Sequence, residues 1–432
     1  MELSRFVKVY PYKDMKDHVL LFSTLTSSKI LIEKKMFNQI IQNDLSDSDA
    51  KTLSELGIIV DNAEKEIVLF DKIVDNLNFK NELLGLTVLL NLDCNFSCFY
   101  CFEKGIKGHF YMSEKTANDL VKFIDNKMTG NIKRLVVDFY GGEPLLSFEL
   151  IKSIAKRIKS IAEKKGISFF FSLVSNGSLL TENRVKELAK IGLKHVKVTI
   201  DGPKEIHDKY RPFKSGAGSF DTIIKNIKKS CNIIKISIGG NFDAENYEKY
   251  LLLLDYLEQE GLDCKKISSV KFDPIINIFS KEKTLTSHYK KGCMPVDEPW
   301  LQKASIILRK AILERGYYVP KMMLTACTIE NINSFVINYN GVIYKCPGFV
   351  GQKGYEAGDL QSGLKECSFY KTGHWKNFEC RKCEYLPLCL GGCRYMSYIK
   401  YNKLDVLDCK KSYFDSCLEE LIKQDIKYLS KN

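Results

Sequence analysis

Several features that would place a protein in a simple class are missing from this 432-residue sequence. No apolar run approaches the length of a membrane-spanning helix, so we expect no membrane partner. Met1–Arg5 lacks the charged and then apolar pattern of a secretory signal, so we expect a cytoplasmic protein. No block of lysine and arginine is interleaved with aromatic residues, so we expect no nucleic-acid partner.

Cysteine, by contrast, is abundant, with 15 residues. Without a secretory signal we expect a reducing compartment, in which disulfides are rare and clustered cysteines bind metal. Zinc is a common partner of closely spaced cysteines and usually takes four ligands. The first close group, Cys94, Cys98 and Cys101, has three cysteines and no nearby histidine to complete a tetrahedron. This composition argues against zinc at the first group.

The bulk composition bounds the size and the surface of the protein. Its length suggests two or three domains, and its 45% of hydrophobic residues supports substantial cores. The formal net charge is +12. A basic body could favour an acidic partner such as an acidic peptide, or it could form a solvated, lysine-rich surface.

Residues 1–85 have the pattern of a small α+β unit. The expected elements are strands over His18–Leu25 and Lys29–Glu33, helices over Met36–Gln42 and Ser48–Leu56, and a strand over Glu66–Phe70. A unit of this kind and size resembles a winged-helix-like module that recognises a leader peptide. The alternative is a packing appendage that covers one end of the main domain, and composition does not separate the two.

From about residue 86, strands and helices alternate. Apolar strands are expected at Leu86–Leu92, Leu135–Tyr140, Ile167–Val174, Val196–Ile200, Ile233–Ile238 and Val270–Asp273. Helices are expected near Glu114–Lys127, Phe148–Lys164, Thr181–Ile191, Phe220–Cys231 and Glu245–Glu260. This alternation indicates an α/β fold with a parallel sheet. Six units are too few for an eight-fold barrel, so we expect residues 86–320 to form a partial (β/α)6 TIM-like barrel.

Polar or glycine-rich loops follow four of the expected strands. They are Cys94–Cys101, Gly141–Pro144, Ser175–Gly177 and Asp201–Pro203. Ligands of parallel α/β folds bind at the carboxyl ends of the strands. We therefore expect the four loops to converge on one cavity.

The C-x3-C-x2-C spacing of Cys94, Cys98 and Cys101, the barrel pattern and the Gly-Gly-Glu-Pro loop together resemble radical S-adenosylmethionine (SAM) enzymes. The resemblance covers roughly residues 86–275. It implies that the three cysteines hold a [4Fe–4S] cluster and that SAM completes its open iron. Electron transfer from the reduced cluster would cleave SAM to methionine and a 5′-deoxyadenosyl radical, which abstracts hydrogen from an unactivated C–H bond.

The same resemblance implies the contacts to SAM. Gly141 and Gly142 would let the methionine end approach the backbone, and Glu143 would accept a hydrogen bond from its ammonium group. The other expected contacts lie at strand ends and are Tyr100, Ser175, Thr199 and Asn241. The first would offer its backbone to adenine and the next two would contact the ribose. Ordinary capping of strand ends is the alternative for these four residues.

Residues 321–432 are rich in cysteine and have few long regular elements before an expected final helix near Ser412–Tyr428. Seven of their cysteines are spaced as in the SPASM domain of radical SAM enzymes that act on peptides and proteins. The resemblance implies two auxiliary [4Fe–4S] clusters, and thus three clusters in the protein. The outer cluster would use Cys380, Cys383, Cys389 and Cys409, and the inner cluster would use Cys327, Cys346 and Cys393.

The inner cluster would then have one iron without an assigned ligand. A distant cysteine could close it, with Cys293, Cys367 and Cys417 as candidates. Alternatively, the iron stays open and takes a substrate thiolate. Cys417 lies on the expected final helix and could simply pack there.

The whole pattern resembles maturases of ribosomally made, Cys-rich peptides. Phe139 and Tyr140 precede the Gly-Gly-Glu-Pro loop, where sulfatase maturases commonly carry glutamine, and residues 201–212 also resemble the peptide maturases. The resemblance implies a precursor peptide with a leader and a Cys-containing core, and an electron donor such as flavodoxin or ferredoxin. An inner cluster with three cysteines favours sulfur-to-carbon thioether crosslinks.

Three alternatives to thioether formation stay open. The chain could form C–C or C–O crosslinks or epimerise residues in a peptide. It could be an anaerobic sulfatase maturase that produces formylglycine. It could also be a non-catalytic peptide-binding or electron-transfer iron–sulfur protein, which cleavage of SAM would rule out. The sequence assigns no catalytic base.

Overall fold

The structure, a computed structural model, describes residues 1–80, 82–275, 298–324, 327–366 and 373–429. The N-terminal region forms an antiparallel sheet of three strands, a short strand pair and three helices. Its elements are β1 (Glu2–Leu3), β2 (Val7–Pro11), β3 (His18–Ser23), β4 (Lys29–Glu33), α1 (Lys34–Gln42), α2 (Asp47–Glu55), β5 (Ile59–Val60) and α3 (Ala63–Phe79).

The expected strand over Glu66–Phe70 is wrong, because this segment lies inside the helix α3. Its buried residues Ile67, Phe70 and Val74 recur three and four residues apart, which is the period of a helix. Asn62 caps the helix, since its side chain accepts a hydrogen bond from the backbone N–H of Lys65. The helical period therefore outweighs the short apolar run that suggested a strand.

The central region alternates strands and helices. Its elements are β6 (Leu83–Leu89), α4 (Glu114–Lys127), β7 (Arg134–Tyr140), α5 (Phe148–Lys164), β8 (Ser168–Ser175), α6 (Glu182–Lys190), β9 (Leu193–Thr199), α7 (Lys204–Tyr210), α8 (Phe220–Ser230), β10 (Lys235–Phe242), α9 (Tyr250–Gln259), β11 (Ile267–Pro274) and α10 (Pro299–Glu314). Strands β6 to β11 pair in parallel and in chain order. The expected partial (β/α)6 barrel is thereby confirmed.

Side chains alternate between the two faces of these strands. In β7, Leu135, Val137 and Phe139 are buried, whereas Val136, Asp138 and Tyr140 between them are only half-buried. The buried set joins the main hydrophobic core, which also contains residues of the surrounding helices. The half-buried set faces the interior of the partial barrel, which is therefore open enough to hold ligands.

The C-terminal region extends the same sheet. Its elements are β12 (Ser334–Ile337), β13 (Val342–Tyr344), β14 (Gly358–Asp359), β15 (Gly363–Leu364), α11 (Phe378–Arg381), α12 (Leu386–Cys389), α13 (Arg394–Tyr401) and α14 (Lys411–Leu429). Strand β12 pairs in parallel with β6, and β13 to β15 follow in antiparallel order, so the sheet has ten strands. No helix in the described ranges has the length and apolar character needed to cross a membrane.

The N-terminal region packs against the C-terminal one. Phe70 of α3 meets the ring of Trp375 edge-on at 5.3 Å. Residues of β2 and β3 share a core cluster with residues of α14. Asp71 pairs with Arg381 at 3.0 Å. The boundaries 1–85, 86–320 and 321–432 stay predictions, but the first and third segments share buried surface.

Candidate functional site

A cavity of about 560 Å³ opens at the carboxyl ends of the barrel strands. The loop after β6 forms one wall of it, including all three cysteines of the first group. Residues at the ends of β7, β8, β9 and β10 also line it, and they include members of the predicted loops Gly141–Pro144 and Ser175–Gly177. The fourth predicted loop, Asp201–Pro203, does not border the cavity; its Asp201 is fully buried and accepts a hydrogen bond from Tyr100. The lining includes the expected SAM contacts Tyr100, Gly141, Gly142, Ser175, Thr199 and Asn241.

Asp93 links the start of the cysteine loop to residues that follow it in the chain. Its carboxylate accepts hydrogen bonds from the backbone N–H of Cys94 at 2.8 Å, the Tyr111 hydroxyl at 2.7 Å and the Lys214 ammonium at 2.8 Å. Burial alone would raise the pKa of Asp93, but these hydrogen bonds hold it well below its usual range. The ends of the loop are therefore tied together around a carboxylate that stays ionised.

The three thiols of this loop are close enough to influence one another's pKa values. Burial raises the pKa of Cys94 to about 11 and also raises that of Cys98. The charge of Cys98 contributes to the shift of Cys94, and the charge of Cys101 contributes to that of Cys98. The Lys107 ammonium opposes both shifts. Three mutually close thiols beside one cation suit a negatively charged iron–sulfur cluster, whose ligands are thiolates.

The two glycines after β7 allow a close approach between two loops. A Cβ on Gly142 would overlap the backbone oxygen of Asp93, and one on Gly141 would overlap that of Asn91. Gly141 also has φ of +127°, which disfavours any side chain. These glycines therefore pack the loop after β7 against the cysteine loop, while both still border the cavity.

Glu143 differs from the other expected SAM contacts, because it does not border the cavity. It is fully buried. Its carboxylate accepts hydrogen bonds from the backbone N–H of Leu145 at 3.0 Å, that of Asn176 at 2.8 Å and the Ser175 hydroxyl at 2.9 Å. Glu143 thus joins the loop after β7 to the loop after β8. Its contact with the SAM ammonium group stays a prediction.

A buried polar network stands behind the other wall. The Tyr100 hydroxyl donates to the Asp201 carboxylate and accepts from Arg211 Nη1 at 2.6 Å. Asn241 Nδ2 also donates to the Tyr100 hydroxyl, at 3.2 Å. Arg211 is only 9% exposed, and its Nε has no acceptor among the described residues. The network fixes the Tyr100 side chain and leaves a cationic donor at the cavity wall.

Sequence reasoning assigned no role to the five charged residues of the lining, which are Glu103, Lys107, Lys197, Arg211 and Asp273. Arg211 lies in the segment that resembled peptide maturases, which was its only signal. Glu103 is 3% exposed, and its Oε1 has no hydrogen-bond partner in the described part of the chain. Burial raises the pKa of Glu103 to about 7, against the opposing charge of Lys107.

The inner group, Cys327, Cys346 and Cys393, is also brought together. Burial raises the pKa of Cys327 and raises that of Cys346 to about 12. The charge of Cys393 adds to both shifts. The same cavity extends toward this group, because Gly348 and Tyr395 line it and lie two residues beyond Cys346 and Cys393.

The outer group, Cys380, Cys383, Cys389 and Cys409, forms a third set. Burial raises the pKa of Cys380 to about 12, and the charges of the other three cysteines contribute. Burial also raises the pKa of Cys389 to about 11, with smaller contributions from Cys383 and Cys409. The structure therefore groups the cysteines as the prediction does, and their binding of clusters stays a prediction.

Of the three candidates for a fourth inner ligand, the structure describes only Cys417. It is fully buried on α14, and its Sγ lies 3.9 Å from the backbone oxygen of Gln302 on α10. Burial alone raises its pKa to about 11. Cys417 therefore packs between two helices. Cys293 and Cys367 lie outside the described residues.

The donor sets suit clusters better than single ions. Within the described ranges, no three His, Cys, Asp or Glu side chains stand close enough to hold one metal ion. The thiolates of a cubane stand farther apart than the ligands of one ion, because each binds a different iron. Three sets of cysteine thiols, one beside a cavity with an unpaired guanidinium nitrogen, fit [4Fe–4S] clusters and a carboxylate-bearing ligand.

The sequence is similar to known proteins along most of its length. The radical SAM superfamily model matches residues 89–257. The radical SAM cyclopropyl synthase TigE of Paramaledivibacter caminithermalis is 24% identical over 408 residues, which cover 86% of this chain and 81% of TigE. A cysteine-type anaerobic sulfatase-maturating enzyme of Clostridium perfringens is 26% identical over 366 residues, which cover 76% of this chain and 89% of that enzyme.

Solved structures share the fold. The structure of native anSMEcpe with bound AdoMet and the Kp18Cys peptide aligns with a TM-score of 0.61 at 20% identity. That alignment covers 80% of this chain and 98% of the other. Streptococcus suis SuiB bound to S-adenosylmethionine aligns with a TM-score of 0.53 at 17% identity, covering 94% of this chain and 98% of SuiB.

Proposed function

Residues 89–257 form a radical SAM domain, and we propose that the whole chain uses it to form thioether crosslinks in a Cys-containing peptide. Among its relatives are a cyclopropyl synthase and a sulfatase-maturating enzyme. SuiB and anSMEcpe, which share the fold, have been solved with peptides bound. When bound, SAM and the reduced cluster would supply a radical that takes a hydrogen atom from the peptide.

The observation that carries the thioether proposal is the inner cysteine group. Among the described residues three cysteines meet there, and Cys417 packs elsewhere. A cluster with three protein thiolates keeps one iron for an outside ligand. A peptide thiolate is the ligand of matching chemistry, and binding to iron would hold that sulfur in its deprotonated form.

The shape of the cavity supports the same proposal. One continuous space is lined by the first cysteine group and by Gly348 and Tyr395, which adjoin the inner group. A peptide in this space could present a carbon to the SAM side and its sulfur to the inner side. Arg211, with its unpaired Nε, would hold the SAM carboxylate.

The test is anaerobic co-expression with Cys-containing peptides encoded near this chain, followed by mass measurement. A thioether replaces one C–H and one S–H bond by a C–S bond, so the peptide loses two hydrogens and one alkylatable thiol. A variant with Cys94, Cys98 and Cys101 changed to alanine is the control and should leave the peptide unchanged. Loss of two hydrogens with every thiol still alkylatable would refute the proposal.

A sulfatase maturase is the second candidate, because the sulfatase-maturating relative is matched over 89% of its length. Its product would be formylglycine, which loses the sulfur atom when it is formed from cysteine. Mass measurement on a sulfatase peptide therefore separates the two activities directly. The two candidates share the same domain and differ in what happens to the thiol.

The remaining cofactors and partners belong to the same proposal. Three cubanes would give about twelve irons per chain, and a value near four would refute the auxiliary clusters. We also propose that a flavodoxin or ferredoxin supplies the electron. Reduction of the first cluster by a purified flavodoxin, followed by its spectrum, tests that partner.

A further inference from the structure

Lys197 lies in the wall of the cavity at some depth below the strand ends. In β9, half-buried residues alternate with the buried valines Val196 and Val198. The half-buried residues are His195, Lys197 and Thr199, and they face the interior of the barrel. Lys197 borders the same cavity as Thr199 and Asn241. The backbone of Lys197 lies two residues before Thr199, one of the expected ribose contacts.

A glycine on the neighbouring strand makes room for this lysine. Gly239 of β10 pairs with Thr199. A Cβ on Gly239 would lie 2.5 Å from Cε of Lys197, so any side chain there would displace the lysine. Glycine weakens the interior of a strand, and it is found where another group must come close. The side chain of Lys197 thus lies across Gly239 and into the cavity.

Of the other four charged residues of this lining, three have charged or thiol partners, whereas Oε1 of the buried Glu103 has no hydrogen-bond partner in the described segments. Arg211 pairs with Asp201 at 3.8 Å, and Lys107 acts on the cysteine thiols. Asp273, which also borders the cavity, pairs with Lys271 at 2.8 Å. No hydrogen bond or ion pair joins the Lys197 ammonium to any residue of the described segments. The cavity therefore keeps a positive charge beside Gly239 and Thr199.

We infer that Lys197 binds a carboxylate side chain of the peptide, so that the residue held beside SAM is an aspartate or glutamate. The inference rests on the proposed function, since it assumes a peptide in this cavity. SAM carries one carboxylate, and Arg211 beside the first cysteines is the donor placed for it. Lys197 reaches the cavity from β9, beside Gly239, and its ammonium group has no partner among the described residues.

The experiment measures binding to the reconstituted, SAM-loaded full chain without any turnover. The probes are N-acetyl-aspartate N-methylamide and its uncharged asparagine counterpart, followed by saturation-transfer NMR. Lys197→Met removes the charge and keeps the length, and Lys197→Arg keeps the charge. We expect the aspartate probe to bind about tenfold more tightly than the asparagine probe, and Lys197→Met to abolish that difference. Lys197→Arg should retain it.

A parallel titration with SAM distinguishes the two possible carboxylates. If Lys197→Met weakens SAM binding about tenfold, the lysine serves SAM and the inference is wrong. Equal binding of both probes to the native chain would also overturn it. The binding result stands whether or not a thioether forms, so failure of the proposed function shows separately in the mass measurement. Where a crosslinked peptide is found, changing its acidic residue to the amide should abolish its modification.

Discussion

Glu330 offers the sharpest test of how the cysteine-rich region is held together. It is 4% exposed and pairs at 3.0 Å with Arg394, which is 2% exposed. Its carboxylate also accepts from the backbone N–H of Gly373 at 3.1 Å and from the Trp375 indole at 3.4 Å. Since Glu330 follows Cys327 by three residues and Arg394 follows Cys393 directly, the pair fixes the inner cysteine group.

Glu330→Ala should destabilise the protein by about 3–5 kcal/mol, because it removes the carboxylate that neutralises a buried guanidinium. The matched control is Glu248→Ala, which breaks an ion pair of 3.1 Å between side chains that are about 60% exposed. Water and salt screen that pair, so the control should behave like the native chain. Urea unfolding is the assay, followed by tryptophan fluorescence, because Trp375 contacts Glu330.

The pH dependence gives the same test a second arm. Burial raises the pKa of Glu330, but His374 and Arg394 outweigh it and leave the pKa below its usual value. A carboxyl with a lowered pKa contributes stability above its unfolded pKa and loses it as the pH falls. The native chain should therefore lose more stability below about pH 4.5 than Glu330→Gln does. Equal costs for Glu330→Ala and Glu248→Ala, or equal acid sensitivity, would refute the reasoning.

Three further predictions follow from packing and from the cysteine groups. Gly142→Ala should displace the cysteine loop and abolish the SAM-dependent change in the cluster spectrum, whereas Gly130→Ala, which meets no atom within 4 Å, should keep it. Phe70→Ala should cost about 3–5 kcal/mol and speed proteolysis of the N-terminal region, and unchanged proteolysis would contradict the packing described above. Cys346→Ala should lower iron from about twelve to about eight per chain, while Cys417→Ser should leave it unchanged; iron analysis decides both.

The alternation of strands and helices could be predicted from the sequence, because the apolar residues of each element recur at the spacing of that element. The helices over Glu114–Lys127 and Phe148–Lys164 begin and end where the sequence predicts, since their apolar residues recur at helical spacing. The strands β12 to β15 have two to four residues each, too few for any period. The pairing of β12 depends on β6, which lies far away in the chain, so a local sequence pattern does not predict it.

The candidate site divides in the same way. The resemblance of the cysteine spacing to known domains predicted the three groups of cysteines, and the fold brings the members of each group together. Lys197 was not assigned from sequence, since its setting depends on what a neighbouring strand places beside it. Glu143 was predicted to accept from the SAM ammonium group, and that contact stays a prediction. Glu143 turned out to join two loops. Lys197 became visible only through the space that Gly239 leaves.

The pairing of β12 with β6 has a consequence for how the chain is made. Leu86 pairs with Phe335, about 250 residues later, so one edge of the first barrel strand stays bare until the ribosome has synthesised most of the protein. A bare strand edge is a template for association with other chains. The strand that leads into the first cysteine loop is thus completed only when the cysteine-rich end arrives. A chain truncated before β12 should therefore aggregate instead of yielding a free barrel domain.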